Sequence, residues 1–283
     1  LVAIAATKEL EGLTINTGST DTSALTIPNI GTGAINSTTG AGVSGNVTIG
    51  NANTTSITLS GLIYSVDGDI TLTTTAGDTT NHEINITGGT AGADPFIATA
   101  GGDISFVGGE VELANNSDLT INSNRKAATT STASGNISIA KNVNGVSDED
   151  LTITTTANGS GTISLGPIGA TGYSASGKSE INTFTVTGAG AITLNGAITT
   201  SEAANNDVSI TGNVILTSSG GTITTNDTAD GDVTISGYVI GTHGTDQDLI
   251  IDSGAGAVSI GSIGTVSENT HLRKIEINKA DSR

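Results

Sequence analysis

The residues best placed to do chemistry are carboxylates on tight turns. Asp67-Gly68-Asp69 and Asp230-Gly231-Asp232 each precede a short apolar segment, and Asp103 follows two glycines. Paired carboxylates on a turn can hold Ca2+ through oxygen ligands. The same side chains can instead accept hydrogen bonds from turn N–H groups. The GGxGxD nonapeptide of calcium-dependent β-rolls does not occur. The expectation is therefore no cofactor and no assigned metal ligand, with Ca2+ at these turns as the alternative.

Enzymatic chemistry needs titratable groups that converge. The densest acidic run is Asp148, Glu149 and Asp150, with Lys141 as its nearest basic residue in sequence. Sugar-cleaving sites want clustered carboxylates, often with basic and aromatic side chains that stack the ring. Aromatics are 2% of the chain, and Tyr64, Phe96, Phe106, Tyr173, Phe184 and Tyr238 are scattered along it. His82, His243 and His271 are far apart and sit at turns. No GxSxG, HExxH, Walker or Rossmann pattern is present. We assign no catalytic residue and read the chain as non-enzymatic.

Two further patterns concern the surface. Thr71 and Thr73, Thr152 and Thr154, Thr183 and Thr185, and Thr222 and Thr224 form T-x-T elements. Such ranks could order ice if they stood in register on every turn, but unequal unit lengths argue against that register. Ordinary outward β-formers explain them. The N-x-S/T sequons at Asn36, Asn46, Asn53, Asn85, Asn115, Asn136, Asn158 and Asn226 are about what composition alone produces.

The elements that carry these residues are built from few residue types. Of 283 residues, 33 are Ile, 49 Thr and 40 Gly, while charged residues make up 13%. A core of Ile, Val and Leu is available, with almost no aromatic content. The net charge of −18 with only nine Lys and Arg argues against a nucleic-acid partner. No apolar run approaches the length of a membrane helix. The absence of Cys excludes disulfides, thiol catalysis and Cys-ligated zinc. The chain starts at Leu1 and contains no Met, which reads as a processed chain or an excised segment.

Repeats dominate the organisation. The unit is apolar–Ser/Thr–apolar, introduced by Asp, Asn or Gly: DLTINS at Asp118, DLTITT at Asp150, DVSITG at Asp207, DVTISG at Asp232 and DLIIDS at Asp248. GNVTIG at Gly45, GDITLT at Gly68, GDISFV at Gly102 and GNISIA at Gly135 follow the same plan. The period of two puts Ile, Val or Leu on one side and Thr or Ser on the other, in strands of three to five residues. Starts at 118, 150, 183, 207, 232 and 248 give units of 32, 33, 24, 25 and 16 residues. The unit from Asp207 divides into DVSITG, NVILTSS and GGTITTN, and the one from Thr183 into TFTVTG, AGAITLN and GAITTSE. GLTINT, ALTIPNI and GAINST repeat the plan from Gly12.

Three short strands per unit, with Gly, Asn and Asp at the corners, predict an all-β parallel β-helix, or β-solenoid, of about ten to eleven irregular three-strand coils. Longer units carry loops at Ser123–Ser134, Gly169–Glu180 and His82–Pro95. The alternative is a tandem pair of antiparallel β-sandwiches, with longer strands and a core Trp or Tyr. Residues 1–283 are expected to form one rod. Counting back from Asn278 and Asn16, Ile275 and Ile277 align with Leu13 and Ile15, 262 residues earlier. That similarity, with no capping helix at either end, suggests one period of a tandem array or one subunit of a fibre.

The motifs G-D/N-I-T/S-φ, φ-T-φ-T-G and A-G-A-φ-T-φ, spread from Gly12 to Asn278, resemble the β-strand repeats of filamentous-haemagglutinin-like adhesins and related large secreted bacterial surface proteins. NPNG-type motifs of their secretion domain are absent, as in a shaft segment. The resemblance implies a right-handed β-helix, an extracellular or cell-surface location, and a role as adhesin shaft or structural fibre. The expected partners are further copies of the chain and a host or neighbouring-cell surface. The alternative function is a ligand- or glycan-binding adhesin module that acts through its long loops.

Overall fold

The computed structural model of the chain describes residues 10–18, 23–31, 42–66, 68–75, 84–88, 95–124, 134–146, 149–155, 160–169, 180–200, 206–217, 221–225, 231–242, 247–264 and 271–278. These residues form β-strands and no helix. Every pairing between strands is parallel, and the strands fall into sheets of fourteen, five and four. An isolated bridge between Ala100 and Asn124 supplies the antiparallel contact among the described residues. The hairpins that a pair of β-sandwiches requires are not among these pairings, so the sandwich alternative is set aside.

The strands line up in three ladders that the chain visits in a constant order. The first ladder stacks Leu13–Ile15, Val47–Gly50, Ile70–Thr73, Ile104–Val107, Ile137–Ile139 and Ile163–Leu165. The second stacks Ser23–Ile27, Thr54–Leu59, Ile84–Ile86, Val111–Leu113 and Val143–Gly145. Single-residue bridges at Ile168 then join it to Ile198–Thr199, Thr222–Thr224, Asp248–Asp252 and Lys274–Asn278. The third stacks Ile63–Ser65, Phe96–Thr99, Leu119–Asn122 and Leu151–Thr154.

Four later strands differ from the expectation of three to five residues. Phe184–Leu194, Val208–Leu216, Val233–Gly241 and Val258–Ile263 serve two ladders each. Their first halves extend the third ladder and their second halves the first, with register shifts at 187/191 and 235/238. The separate strands expected within TFTVTG and AGAITLN are therefore one, Phe184–Leu194, as are those within DVSITG and NVILTSS, Val208–Leu216. The corner explains this. In the earlier turns a buried Ser or Thr closes it, whereas later turns place glycine there. A Cβ on Gly212 would stand 2.4 Å from the carbonyl oxygen of Gly188, and one on Gly237 2.0 Å from that of Gly212. Only glycine lets the backbones pack that closely, and the ladder then runs on around the bend.

Alternation places one apolar column inside each ladder. The first runs Leu13, Val47, Ile70, Ile104, Ile137, Ile163, Ile192, Val214, Val239, Ile263. The second runs Leu25, Ile57, Ile84, Val111, Val143, Ile168, Ile198, Ile223, Ile251, Ile277. The third runs Ile30, Ile63, Ile97, Ile121, Ile153, Val186, Ile210, Ile235, Ile260. Their interior members belong to one continuous buried cluster that includes Phe106 and Phe184. Tyr64, Phe96 and Ala98 lie on the outward side of the third ladder and are buried in a second, small cluster.

Unequal unit lengths leave the register of the columns undisturbed. Equivalent residues in the first column are 22 residues apart between Ile192 and Val214 but 34 apart between Leu13 and Val47. Two insertions show how. Ile30 pairs with Ile63, the chain leaves at Gly31 (φ 88°), and Val43 resumes opposite Ser65. Ile168 pairs with Ile198, the chain leaves at Gly169 (φ 64°), and Ile181 resumes opposite Thr200. In both, the positive φ of glycine lets the backbone turn out of the ladder.

Register also corrects two sequence expectations. DLIIDS at Asp248 belongs to the second ladder, so the counterpart of Val233 is Val258 and the 16-residue unit disappears. Ile275 and Ile277 lie on the second ladder, while Leu13 and Ile15 lie on the first. Their alignment does not mark equivalent positions of a turn.

Replacing one interior column residue removes contacts to the rungs above and below. Ile153→Ala should destabilise the chain by about 2–5 kcal/mol. Thr152→Ala, on the outward side of the same strand, should change stability by less than about 1 kcal/mol. Urea denaturation of both variants checks this, and equal losses would contradict the inward and outward assignment.

Candidate functional site

The conspicuous polar arrangement is a ladder of Asp and Asn side chains at two corners. At the start of the first ladder, Asn46 Oδ1 accepts the backbone N–H of Asp69 (3.0 Å), and Asp69 Oδ1 accepts that of Asp103 (2.8 Å). Asp103 Oδ1 accepts from Asn136 N (2.6 Å), and Asn136 Oδ1 from Thr162 N (2.9 Å). In return, the N–H after each Asx donates to the next turn's carbonyl: Val47 to Asp69, Ile70 to Asp103, Ile104 to Asn136. At the start of the third ladder, Asp118 Oδ1 accepts from Asp150 N (2.8 Å), and Asp150 Oδ1 from Thr183 N and Asn182 Nδ2 (both 3.0 Å). Asp207 Oδ1 accepts from Asp232 N (2.9 Å), and Asp232 Oδ1 from Ala257 N (2.6 Å). Each side chain thus adds one rung to the ladder where the strand proper has not yet begun.

Glycine and buried hydroxyls complete these corners. The glycine before each Asx of the first ladder stacks on its counterpart; a Cβ on Gly135 would sit 1.9 Å from the carbonyl oxygen of Gly102. Thr99 Oγ1 donates to Gly102 O (2.6 Å), Ser123 Oγ to Gly135 O (2.7 Å) and Thr225 Oγ1 to Gly231 O (2.8 Å). Buried hydroxyls thereby satisfy carbonyls that the turn would otherwise leave unpaired.

These contacts locate the sequence candidates. Asp69, Asp103 and Asp232 hold the next turn's backbone, which is the turn role weighed against calcium. Asp67 and Asp230 lie outside the described residues, so the paired Asp-Gly-Asp arrangement is not seen whole. In the acidic run, Asp148 lies outside the described residues, Asp150 is a rung of the corner ladder, and Glu149 is fully buried. Glu149 accepts the backbone N–H of Asn116 through Oε1 (3.0 Å) and of Val146 through Oε2 (2.7 Å). The run is therefore split between two structural tasks. His82, His243 and Tyr173 lie outside the described residues, as does most of each long loop, whereas His271 and Lys141 are exposed. Among the described residues, no three His, Cys, Asp or Glu side chains come together to hold a metal.

The threonine ranks stand in better register than their spacing suggests. Thr120, Thr152, Thr185, Ser209, Thr234 and Ser259 form an outward column on the third ladder, and Asn122, Thr154, Thr187 and Thr211 form a second beside it. The in-register partner of Thr152 and Thr154 is the pair Thr185 and Thr187, not Thr183 and Thr185. Thr71 and Thr73 stand on the first ladder and Thr222 and Thr224 on the second, so the four T-x-T elements do not share a face.

One feature escaped the sequence reading: apolar exposure at both extremes of the ladders. Ile275 and Ile277 are each 46% exposed, Ile263 40% and Leu10 38%. Beside them, Arg273 donates from Nε and Nη2 to the two carboxylate oxygens of Asp248 (2.9 and 2.6 Å). The guanidinium holds the Asp248 carboxyl below its ordinary range. The Lys274–Glu276 ion pair raises the amine and lowers the carboxyl. What the lowered carboxyls contribute is present above the unfolded pKa and lost as pH falls through the folded value. The Lys274 contribution is lost as pH rises through its raised value. Both pairs are exposed, which keeps the contributions small.

Compared with known proteins, the chain matches no family model, no curated protein and no solved structure.

Asp150→Ala removes the acceptor for two donors of the next turn and should cost about 1–2 kcal/mol. Asp150→Asn keeps an Oδ1 acceptor, as Asn46 and Asn136 already do, and should lose less than half as much. Thermal melts of the two variants decide this; an equal loss would mean that charge, not the acceptor, matters at the corner.

Proposed function

We propose that the chain is a parallel β-helix of about ten three-sided coils and that it works as a non-enzymatic structural shaft, in an extracellular filament or the stalk of a cell-surface adhesin. The observation that carries this reading is the set of three apolar columns, two of them spanning ten rungs without a polar residue. A ladder of that kind resists bending and extension because backbone hydrogen bonds run along its axis. The corner carboxylates support the reading, since Asp69, Asp103, Asp150 and Asp232 each accept a backbone N–H of the next turn. At about 4.8 Å per rung, ten coils give a rod of roughly 50 Å.

Extracellular placement rests on the resemblance of the G-D/N-I-T/S motifs to secreted adhesin repeats, together with the cysteine-free, acidic composition. A net charge of −18 discourages side-by-side clumping while leaving end-to-end contact possible. The copies would associate end to end through the open edges of the ladders, with a host or neighbouring-cell surface as the second partner.

Electron microscopy of the purified chain at neutral pH tests the proposal. The expected result is uniform fibres with an axial repeat of roughly 50 Å, showing a meridional reflection near 4.8 Å when aligned. Their formation should be the same with Ca2+ or with a chelator, because Oδ1 of each corner Asp already accepts a backbone N–H. Single particles at every concentration would overturn the filament reading, and fibres seen only with Ca2+ would return the Asp-Gly-Asp turns to metal binding.

A further inference from the structure

We infer that the joint between copies is head to tail and in phase, so that a second copy of this chain continues the first and second apolar columns without a break. The inference rests on the structural reading above and names the surface that would carry it. Three observations lead to it.

The first is the order of the ladders. Each turn runs first, second, third, and Lys274–Asn278 lies on the second. The next position due is on the third. Leu10 pairs with Val43, and Val43 with Ser65 of the third ladder, so Leu10 stands on that ladder just before Leu13–Ile15 on the first. A copy stacked beyond Asn278 therefore presents its ladders in the order the rod requires.

The second is the chemistry of the exposed rungs. The first column ends on Ile263 and begins on Leu13, and the second ends on Ile277 and begins on Leu25. Ile263 and Ile277 are 40% and 46% exposed, while the next rungs inward, Val239 and Ile251, are fully buried. Ile263 meeting Leu13 and Ile277 meeting Leu25 repeat the apolar contacts that every interior rung makes. The parallel backbone edge gains the hydrogen bonds of one more rung.

The third is charge. On a chain of net charge −18, the described residues of this end are balanced in ion pairs, Arg273 with Asp248 and Lys274 with Glu276. Residues 10–18, which would face them, carry a single charged side chain, Glu11.

The absence of Cys makes the joint testable by engineered disulfides. The outward column of the second ladder runs from Thr26 through Thr58 to Asp252 and Asn278. The in-phase joint sets Asn278 of one copy over Thr26 of the next, about 4.8 Å away, within the range a disulfide spans. The full chain carrying Asn278→Cys and Thr26→Cys, oxidised with glutathione disulfide, should give dimers, trimers and longer species on a non-reducing gel. Asn278→Cys with Thr14→Cys, which places the second thiol on the first ladder, should stay monomeric. Ile277→Asp should shorten or abolish the fibres of the otherwise unaltered chain while circular dichroism stays unchanged. If the unaltered chain forms fibres but the Thr14 pair links and the Thr26 pair does not, the phase is wrong and the structural reading stands. Fibres with neither pair linking would likewise overturn the joint. Absence of fibres from the unaltered chain at every concentration would overturn both.

Discussion

Successive turns of this chain pair in parallel about 4.8 Å apart, and that spacing sets each residue directly above its counterpart. A position in one turn is thereby tied to the same position in the turns on either side. Inside, the tie favours Ile and Val, whose branched side chains stack within a narrow space and keep few rotamers. A polar residue in such a column would face apolar neighbours above and below with no hydrogen-bond partner. At the corners the tie selects glycine wherever backbone lies on backbone, as at Gly102 and Gly135. Before a strand it selects Asp or Asn, whose side-chain oxygen reaches the next turn's N–H.

The same tie leaves segment length free. Nothing in the pairing of Ile30 with Ile63 and Val43 with Ser65 depends on how many residues separate Ile30 from Val43. Loop closure becomes costlier only slowly with length. The chain therefore carries insertions at Gly31 and Gly169 while the columns stay in register. The two corner designs are a second instance of this freedom. A buried hydroxyl bonded to a carbonyl, as at Thr99 and Ser123, closes the corner by a side chain. A stacked glycine, as at Gly212 and Gly237, closes it by backbone approach and lets one strand serve two ladders.

Much of this could be read from residue order alone. The alternation in DLTITT or GDISFV names the inward residues, and all of Leu151, Ile153, Ile104 and Phe106 are buried as alternation requires. The Gly-Asp and Gly-Asn introductions mark the corners. What alternation cannot report is which ladder a triplet joins, because every ladder uses the same triplet. DLIIDS at Asp248 looks like DLTITT at Asp150, yet the two stand on different ladders. The alignment of Ile275 with Leu13 fails for the same reason. Nor can counting residues between T-x-T elements report their register, since insertions lengthen a unit without displacing its strands. The tasks of the carboxylates were half legible: a turn role was expected, but the N–H that Asp69 accepts belongs to the turn beyond, 34 residues away.

A fold in which each turn touches only its neighbours accumulates stability turn by turn. An interior rung has two neighbours and an outer rung one. Ile251 and Ile277 occupy the same column and share the same chemistry, yet one is fully buried and the other 46% exposed. The difference is whether a further rung covers them. In the proposed joint such a surface needs no specialised residues to become an interface, because one more turn of the same pattern would complete it. Under the proposed joint, the interaction that holds its interior together and the one its outer rungs would offer to a second copy are the same ladder.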